Sequence, residues 1–187
     1  MTRILQDRQD PFELDHSVTE ADAGVGSNAS QKGDPMADYQ VQRSITINSN
    51  ASEVYDKIVD LHKWQSWSPW EDADPSMAKS YDGPDAGVGA SYSWKGNRKV
   101  GQGNMTITEA NQPDHVALDL EFLKPFKARN KTAFSLEPSG EGTQVTWTMT
   151  GDHNFLSRIM SVFMSMDKMV GKDFERGLSR LKADVEA

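Results

Sequence analysis

From Tyr39 the chain alternates. Tyr39, Val41, Ile45 and Ile47 fall on one face and Gln40, Gln42, Ser44 and Thr46 on the other, interrupted only by Arg43, which is the pattern of a half-buried strand. The period then changes. Asn50 followed by Glu53 reads as a capping box, and Val54, Ile58 and Leu61 form one apolar stripe, so the spacing predicts a short helix from Ala51 to Asp60. Trp64, Trp67 and Trp70 recur every third residue around Pro69, predicting a second helical turn closing into a loop. Two of these indoles are expected to cap one end of the core.

Six further strands are predicted: Met77 to Tyr81, Ala90 to Lys95, Val100 to Glu109, His115 to Leu123, Lys127 to Glu137 and Thr143 to Gly151. Separators such as Gly96-Asn97 and Pro138-Ser-Gly-Glu-Gly142 are too short for parallel crossovers, so the strands form antiparallel hairpins. Ala90, Tyr92 and Trp94 share a face, as do Met105 and Ile107, then Val116, Leu118, Leu120 and Phe122, then Phe134 and Leu136, then Val145, Trp147 and Met149. Ser91, Ser93, Lys95, Asp119, Glu121, Thr146 and Thr148 occupy the opposite faces, giving a sheet with one dry side and one wet side. Leu156, Ile159, Phe163, Met166, Val170, Phe174, Leu178, Leu181 and Val185 recur at three and four, predicting a helix from Phe155 to Val185, roughly 45 Å long. Such a helix can cover the dry side. The fold class is therefore α+β: a curved antiparallel sheet of about seven strands gripping one long C-terminal helix, with two short helices after the first strand.

Composition separates this domain from what precedes it. Residues 1 to 35 carry seven acids against three bases and few apolar residues, too few to offset the entropy of ordering the segment. It reads as a disordered acidic tail, or as an overlong gene start before Met36, with residues 36 to 187 as the folded domain. The whole chain of 187 residues has a formal net charge of -8, which on average repels phosphate backbones and anionic membrane surfaces and argues against a nucleic-acid partner. No apolar window is long enough for a membrane helix and the first residues lack a signal-peptide core, so the expectation is a cytoplasmic protein without integral membrane association. The absence of cysteine removes disulfides, thiolate nucleophiles and cysteine-held metals.

Few motifs carry chemistry. His16, His62, His115 and His153 lack metal-ligand spacing, so no metal and no cofactor is expected. Gly87-Val-Gly-Ala-Ser-Tyr92 opens like a dinucleotide fingerprint, but it lacks the third Gly and leads into a strand. There is no nucleophile elbow and no phosphate-binding loop. Catalytic residues are therefore unassigned.

Several segments together resemble a known family: Ile45-Thr-Ile-Asn48 ending the first strand, Asp60 with Trp64 and Trp67-Ser-Pro69, Gly87-Val-Gly89, Gly142-Thr-Gln-Val-Thr-Trp147, and the run from Met166 to Lys182. They look like the polyketide cyclase/dehydrase family of the START-like, or SRPBCC, helix-grip superfamily, over roughly residues 40 to 185. The resemblance implies a deep apolar cavity between sheet and long helix, used across the superfamily for lipids, sterols, aromatic polyketides and plant hormones. It implies no fixed chemistry.

The expected partner is thus a small hydrophobic or aromatic ligand. Its candidate lining is Tyr92, Trp94, Met105, Leu118, Leu120, Phe122, Phe134, Trp147 and Met149 from the sheet, with Phe163, Met166 and Val170 from the helix. The same alternation would equally build a solid core. Gly171 and Gly177 in the helix, and Met160, Met164, Met166 and Met169 in its first half, favour an adaptable cavity. Asn130 and Thr132 share the inner face and could orient a ligand, whereas Lys127, Arg129 and Lys131 lie on the outer face as solvated charge, with Arg98 and Lys99 nearby in sequence. Tyr92 is the chief titratable group facing inward. Two other readings stand beside ligand binding: a cyclase or dehydratase using the same cavity, and an interaction module whose Met-rich helix meets a protein.

Overall fold

Strand β1 (Tyr39–Ile47) opens the structure, a computed structural model that describes residues 39–151 and 166–187. The acidic tail and residues 152–165, with the expected first part of the long helix from Phe155 and with Met160, Phe163 and Met164, lie outside the described residues. Helix α1 (Ala51–Ile58) starts where the Asn50 side chain accepts from Glu53 N–H at 3.0 Å. The reciprocal half of the box is displaced, because the Glu53 carboxylate takes the Ser49 hydroxyl. The helix stops at Ile58, two residues before the expected end, since Asp60 caps a new 3-10 turn at Leu61–Lys63 by accepting from His62 N–H at 2.9 Å. Helix α2 (Trp64–Trp67) follows directly, then a 3-10 turn at Glu71–Ala73.

The remaining strands are β2 (Ala78–Asp82), β3 (Ser91–Lys95), β4 (Gln102–Asn111), β5 (His115–Lys124), β6 (Ala128–Ser139) and β7 (Gly142–Gly151). They form one seven-stranded antiparallel sheet in the order β1-β7-β6-β5-β4-β3-β2. Boundaries move where turns intervene. Val100 stays outside β4 because Gly96 and Gly101 close a turn in which Gly101 has φ of +67°. Met77 stays outside β2 because its N–H bonds to the Asp74 carbonyl at 3.0 Å. Two register shifts in the β4–β5 ladder, at Gln102/Gly103 and Ile107/Glu109, bend the middle of the sheet.

Helix α3 (Met166–Val185) lies across β1 and β7 and also packs on α1 and α2. Phe174, Leu178 and Leu181 are its buried face, part of one core cluster with Trp64, Trp67, Phe134 and Trp147, and Phe174 stacks on Trp147. The architecture is the helix-grip fold, and its core lies between the concave face of the sheet and the helices.

Candidate ligand site on the concave face

Antiparallel register turns the inward residues into rows that cross the sheet. One row runs through Tyr81, Tyr92, Met105, Leu120, Asn130, Gly151 and Tyr39, joining all seven strands. The row beyond it, toward the β3–β4 and β5–β6 turns, holds Trp94, Gly103, Phe122 and Ala128. On the other side come Ile107, Leu118, Thr132, Met149 and Val41, and then Phe134, Trp147 and Arg43.

These rows are filled differently. Trp147 stacks on Phe174 with centroids 4.0 Å apart and planes at 6°, and Trp64, Trp67, Trp70 and Phe134 surround it edge-on or tilted. Its indole N–H donates to Thr132 Oγ1 at 2.8 Å. Phe134 is fully enclosed by the same rings. Both residues were expected along the cavity, and the structure sets them in a continuous aromatic core under α3. Leu118 is equally deep, 1% exposed, and Met149 is 4% exposed. Val170 is half-buried and packs against this core, while Met166 opens the backbone of α3.

Tyr92, Trp94, Met105, Leu120 and Phe122 lie together on the two rows farther from Phe174. Trp94 stacks with Tyr92 at 5.9 Å, meets Phe122 edge-on, and donates from its indole to the Val100 carbonyl at 3.1 Å. Gly103 makes this possible, since a Cβ there would lie within 2.6 Å of the Trp94 ring. Leu120 and Phe122 remain partly exposed although both face inward.

Two polar atoms interrupt the apolar surface. Tyr92 Oη and Asn130 Nδ2 are buried without a hydrogen-bond partner. Asn130 Oδ1 is held by the Tyr39 hydroxyl at 2.7 Å, and Gly151 leaves room for that bond because a Cβ would strike both groups. The amide nitrogen is thereby turned away from Tyr39. Burial pushes the Tyr92 phenol above its ordinary value, with the Glu71 carboxylate and Tyr81 adding to the effect, so it stays protonated at neutral pH. Beside it, Glu71 and Lys79 form a mostly buried ion pair, and Tyr81 stacks on His62 at 4.0 Å. Alternation alone did not single out Glu71, Lys79 or Tyr81. Gly103 and Gly151 carried a legible signal, because a glycine inside a strand marks a close approach.

Elsewhere, His62 pairs with Asp60 and His115 with Glu109, and among the described residues no three His, Asp or Glu side chains gather as a metal site. A groove of about 270 Å³ involves Ser80, Ser93, Lys95, Gln102 and Asn104. Those side chains alternate with Trp94 and Tyr92 and belong to the outer face, while Lys79, Trp94 and Gly103 border the same groove. No helix among the described residues is long and apolar enough to cross a membrane.

A sheet that grips a helix over an apolar face carrying a few inward polar groups defines a helix-grip domain of the hydrophobic-ligand-binding class. The chain belongs to the family described as polyketide cyclase/dehydrase and lipid transport, whose model matches residues 38–186. Solved structures share the fold at low identity. Protein CV1439 from Chromobacterium violaceum is 13% identical at a TM-score of 0.58, covering 79% of this chain and 97% of its own. Mll3558 from Rhizobium loti is 18% identical at 0.58, covering 78% and 95%, and Ara h 8.0201 is 10% identical at 0.52, covering 79% and 94%. No curated protein matches the chain by sequence.

Proposed function

We propose that this protein binds a small, largely apolar molecule bearing oxygen, held on the concave face between the Trp94–Phe122 row and the Tyr92–Asn130 row. The observation that carries this reading is the pair of buried polar atoms without partners, Tyr92 Oη and Asn130 Nδ2, flanking the apolar floor of Met105 and Leu120. A buried donor left unpaired costs about 1–3 kcal/mol, and a carbonyl or hydroxyl oxygen of a ligand would recover that cost. The family description, which includes lipid transport, supports the apolar part of the ligand. Binding is favoured over acid–base catalysis because the Tyr92 phenol holds its proton more tightly than an ordinary tyrosine and acts as a fixed donor.

A matched pair of probes tests this reading. Removing ~300 Å² of ligand surface from water at ~25 cal/mol/Å² supplies about 7 kcal/mol before the losses of association, enough for micromolar to submillimolar binding. Titrations followed by tryptophan fluorescence should show both 1-naphthol and naphthalene binding. Tyr92→Phe should weaken 1-naphthol about tenfold, the worth of one hydrogen bond, and leave naphthalene unchanged. Failure of both probes to bind below ~1 mM would mean that these rows are a filled core.

A further inference from the structure

The two ends of the sheet differ in charge. Alternate turns of an antiparallel meander fall at the same end, so the β2–β3, β4–β5 and β6–β7 loops gather together, carrying Asp85, Asp114 and Glu141 and no Lys or Arg. The β3–β4 and β5–β6 loops turn at the opposite end. There the stretches 95–101 and 124–129 carry Lys95, Arg98, Lys99, Lys124, Lys127 and Arg129, all exposed, and no acid. The two stretches touch: a Cβ on Gly101 would strike the Lys124 carbonyl and lie 3.3 Å from Pro125 Cδ. At the tip, between Lys124 and Lys127, Phe126 is 47% exposed, one of two large apolar side chains so exposed among the described residues.

Acids on the neighbouring elements are already engaged. Glu121 pairs with Arg129 at 3.2 Å, Glu71 with Lys79 and Asp72 with Arg180, while Asp74 accepts from Ser76 and from Asn97 N–H at 2.6 Å. Among the described residues no carboxylate pairs with Lys95, Arg98, Lys99, Lys124 or Lys127. The acidic loops are also remote. Strands β4 and β5 are each 10 residues long, about 33 Å, against a Debye length of ~8 Å at physiological salt, so the carboxylates of those loops do not cancel the field at the basic tip.

We propose that this basic tip, with Phe126 at its apex, is a docking surface for a membrane rich in anionic lipid. The lysines and arginines match the negative leaflet, and an exposed phenylalanine between lysines fits the boundary of headgroups and acyl chains. A nucleic acid would use the charges but not the apolar apex, and two loop tips form a point of contact rather than a stripe along a duplex. The Trp94 indole bonds into the same β3–β4 loop, so docking would bring the Trp94–Phe122 end of the concave face to the lipid interface. The proposal does not depend on what that face binds.

Co-sedimentation of the full chain with vesicles tests it directly. Binding is expected to vesicles of phosphatidylcholine with about one-third phosphatidylserine, to be absent with phosphatidylcholine alone, and to be lost as NaCl rises from ~0.05 to ~0.5 M. Lys124→Glu combined with Lys127→Glu should lower the partition coefficient at least ~25-fold, about fivefold for each lysine lost. Phe126→Ala should lower it several-fold at constant charge. Because the chain has no cysteine, Phe126→Cys accepts a single environment-sensitive label, whose emission should shift to the blue on anionic vesicles while the same label on Val88→Cys stays unchanged. Circular dichroism on each variant separates loss of binding from loss of fold. Absence of binding to anionic vesicles, equal binding to neutral ones, or a response at Val88 rather than Phe126 would overturn the proposal. Displacement of the vesicles by a short DNA duplex would also overturn it, reassigning the tip to polyanions in general.

Discussion

Tyr92 and Thr132 both bring a hydroxyl into the interior, with opposite consequences. Thr132 Oγ1 accepts from the Trp147 indole at 2.8 Å and donates to the Thr148 carbonyl at 3.0 Å, so its polarity is fully used. Tyr92 Oη has given up water and gained no partner. Thr132→Val should therefore destabilise the protein by about 1–3 kcal/mol, because it strands a buried N–H, while Tyr92→Phe should be neutral or stabilising by up to ~1 kcal/mol. Urea denaturation of the two variants checks the ranking; a costly Tyr92→Phe would mean that the hydroxyl is satisfied in the free protein. Alternation in the sequence placed Tyr92, Asn130 and Thr132 on the inner face. Which of them would find a partner was not legible, because strand register decides it: Trp147 reaches Thr132 across the β6–β7 hairpin, and Tyr39 reaches Asn130 from a strand 91 residues away in the chain.

At the scale of elements, α3 shows why two helical glycines are not equivalent. Both are buried, and either replaced by Ala would gain helix propensity of about 1 kcal/mol. A Cβ on Gly177 would lie 2.9 Å from the Trp147 ring and 3.1 Å from Pro69 Cδ, atoms held by the aromatic core and the α2 turn. A Cβ on Gly171 would instead meet the Arg43 guanidinium, the end of a flexible side chain that pairs with Glu175 at 2.7 Å. Gly177→Ala should then lower stability by about 1–3 kcal/mol despite its propensity gain, and Gly171→Ala should cost less than Gly177→Ala. Thermal melts of the two variants decide it; equal effects would mean that propensity rather than packing governs this helix. The spacing of Leu178, Leu181 and Val185 was enough to predict the element, while the close approach of Gly177 to Trp147 depends on two chain segments meeting.

For the whole molecule, the ion pairs that tie distant elements together set its response to acid. Asp184 on α3 accepts from Lys57 on α1 and from Ser66 on α2, both at 2.9 Å. Burial alone would raise this carboxyl, but the hydrogen bonds from Lys57 and Ser66 and the lysine charge outweigh it and hold the group below its ordinary value. Asp74 is lowered in the same direction by its Ser76 and Asn97 hydrogen bonds, against burial. A carboxyl depressed in the folded state contributes its full stabilisation above the ordinary carboxylate value and loses it as pH falls through the depressed one. Stability should thus hold near neutrality and drop below pH ~4, and Asp184→Asn should flatten that drop while lowering the neutral plateau. Urea midpoints measured from pH ~6 to ~3 test this, and an unchanged acid slope in Asp184→Asn would remove the pair from the account.

The sequence by itself determined the order and type of elements, because alternation of apolar residues is a local property: β1, α1, α2 and the six later strands stand where Tyr39, Val54, Trp64 and Trp94 imply, within a residue or two. It also determined which side of each strand is dry. What only the tertiary structure decided is how those sides are used. Trp94 and Trp147 carry the same pattern in the chain, yet register and the crossing of α3 put Trp147 against Phe174 and Trp94 beside an unpartnered tyrosine. Arg98 and Phe126 lie in loops nearly thirty residues apart, and the antiparallel meander brings those loops to one end of the sheet. Packing, pairing and charge focusing are contacts between segments, and no local period encodes them.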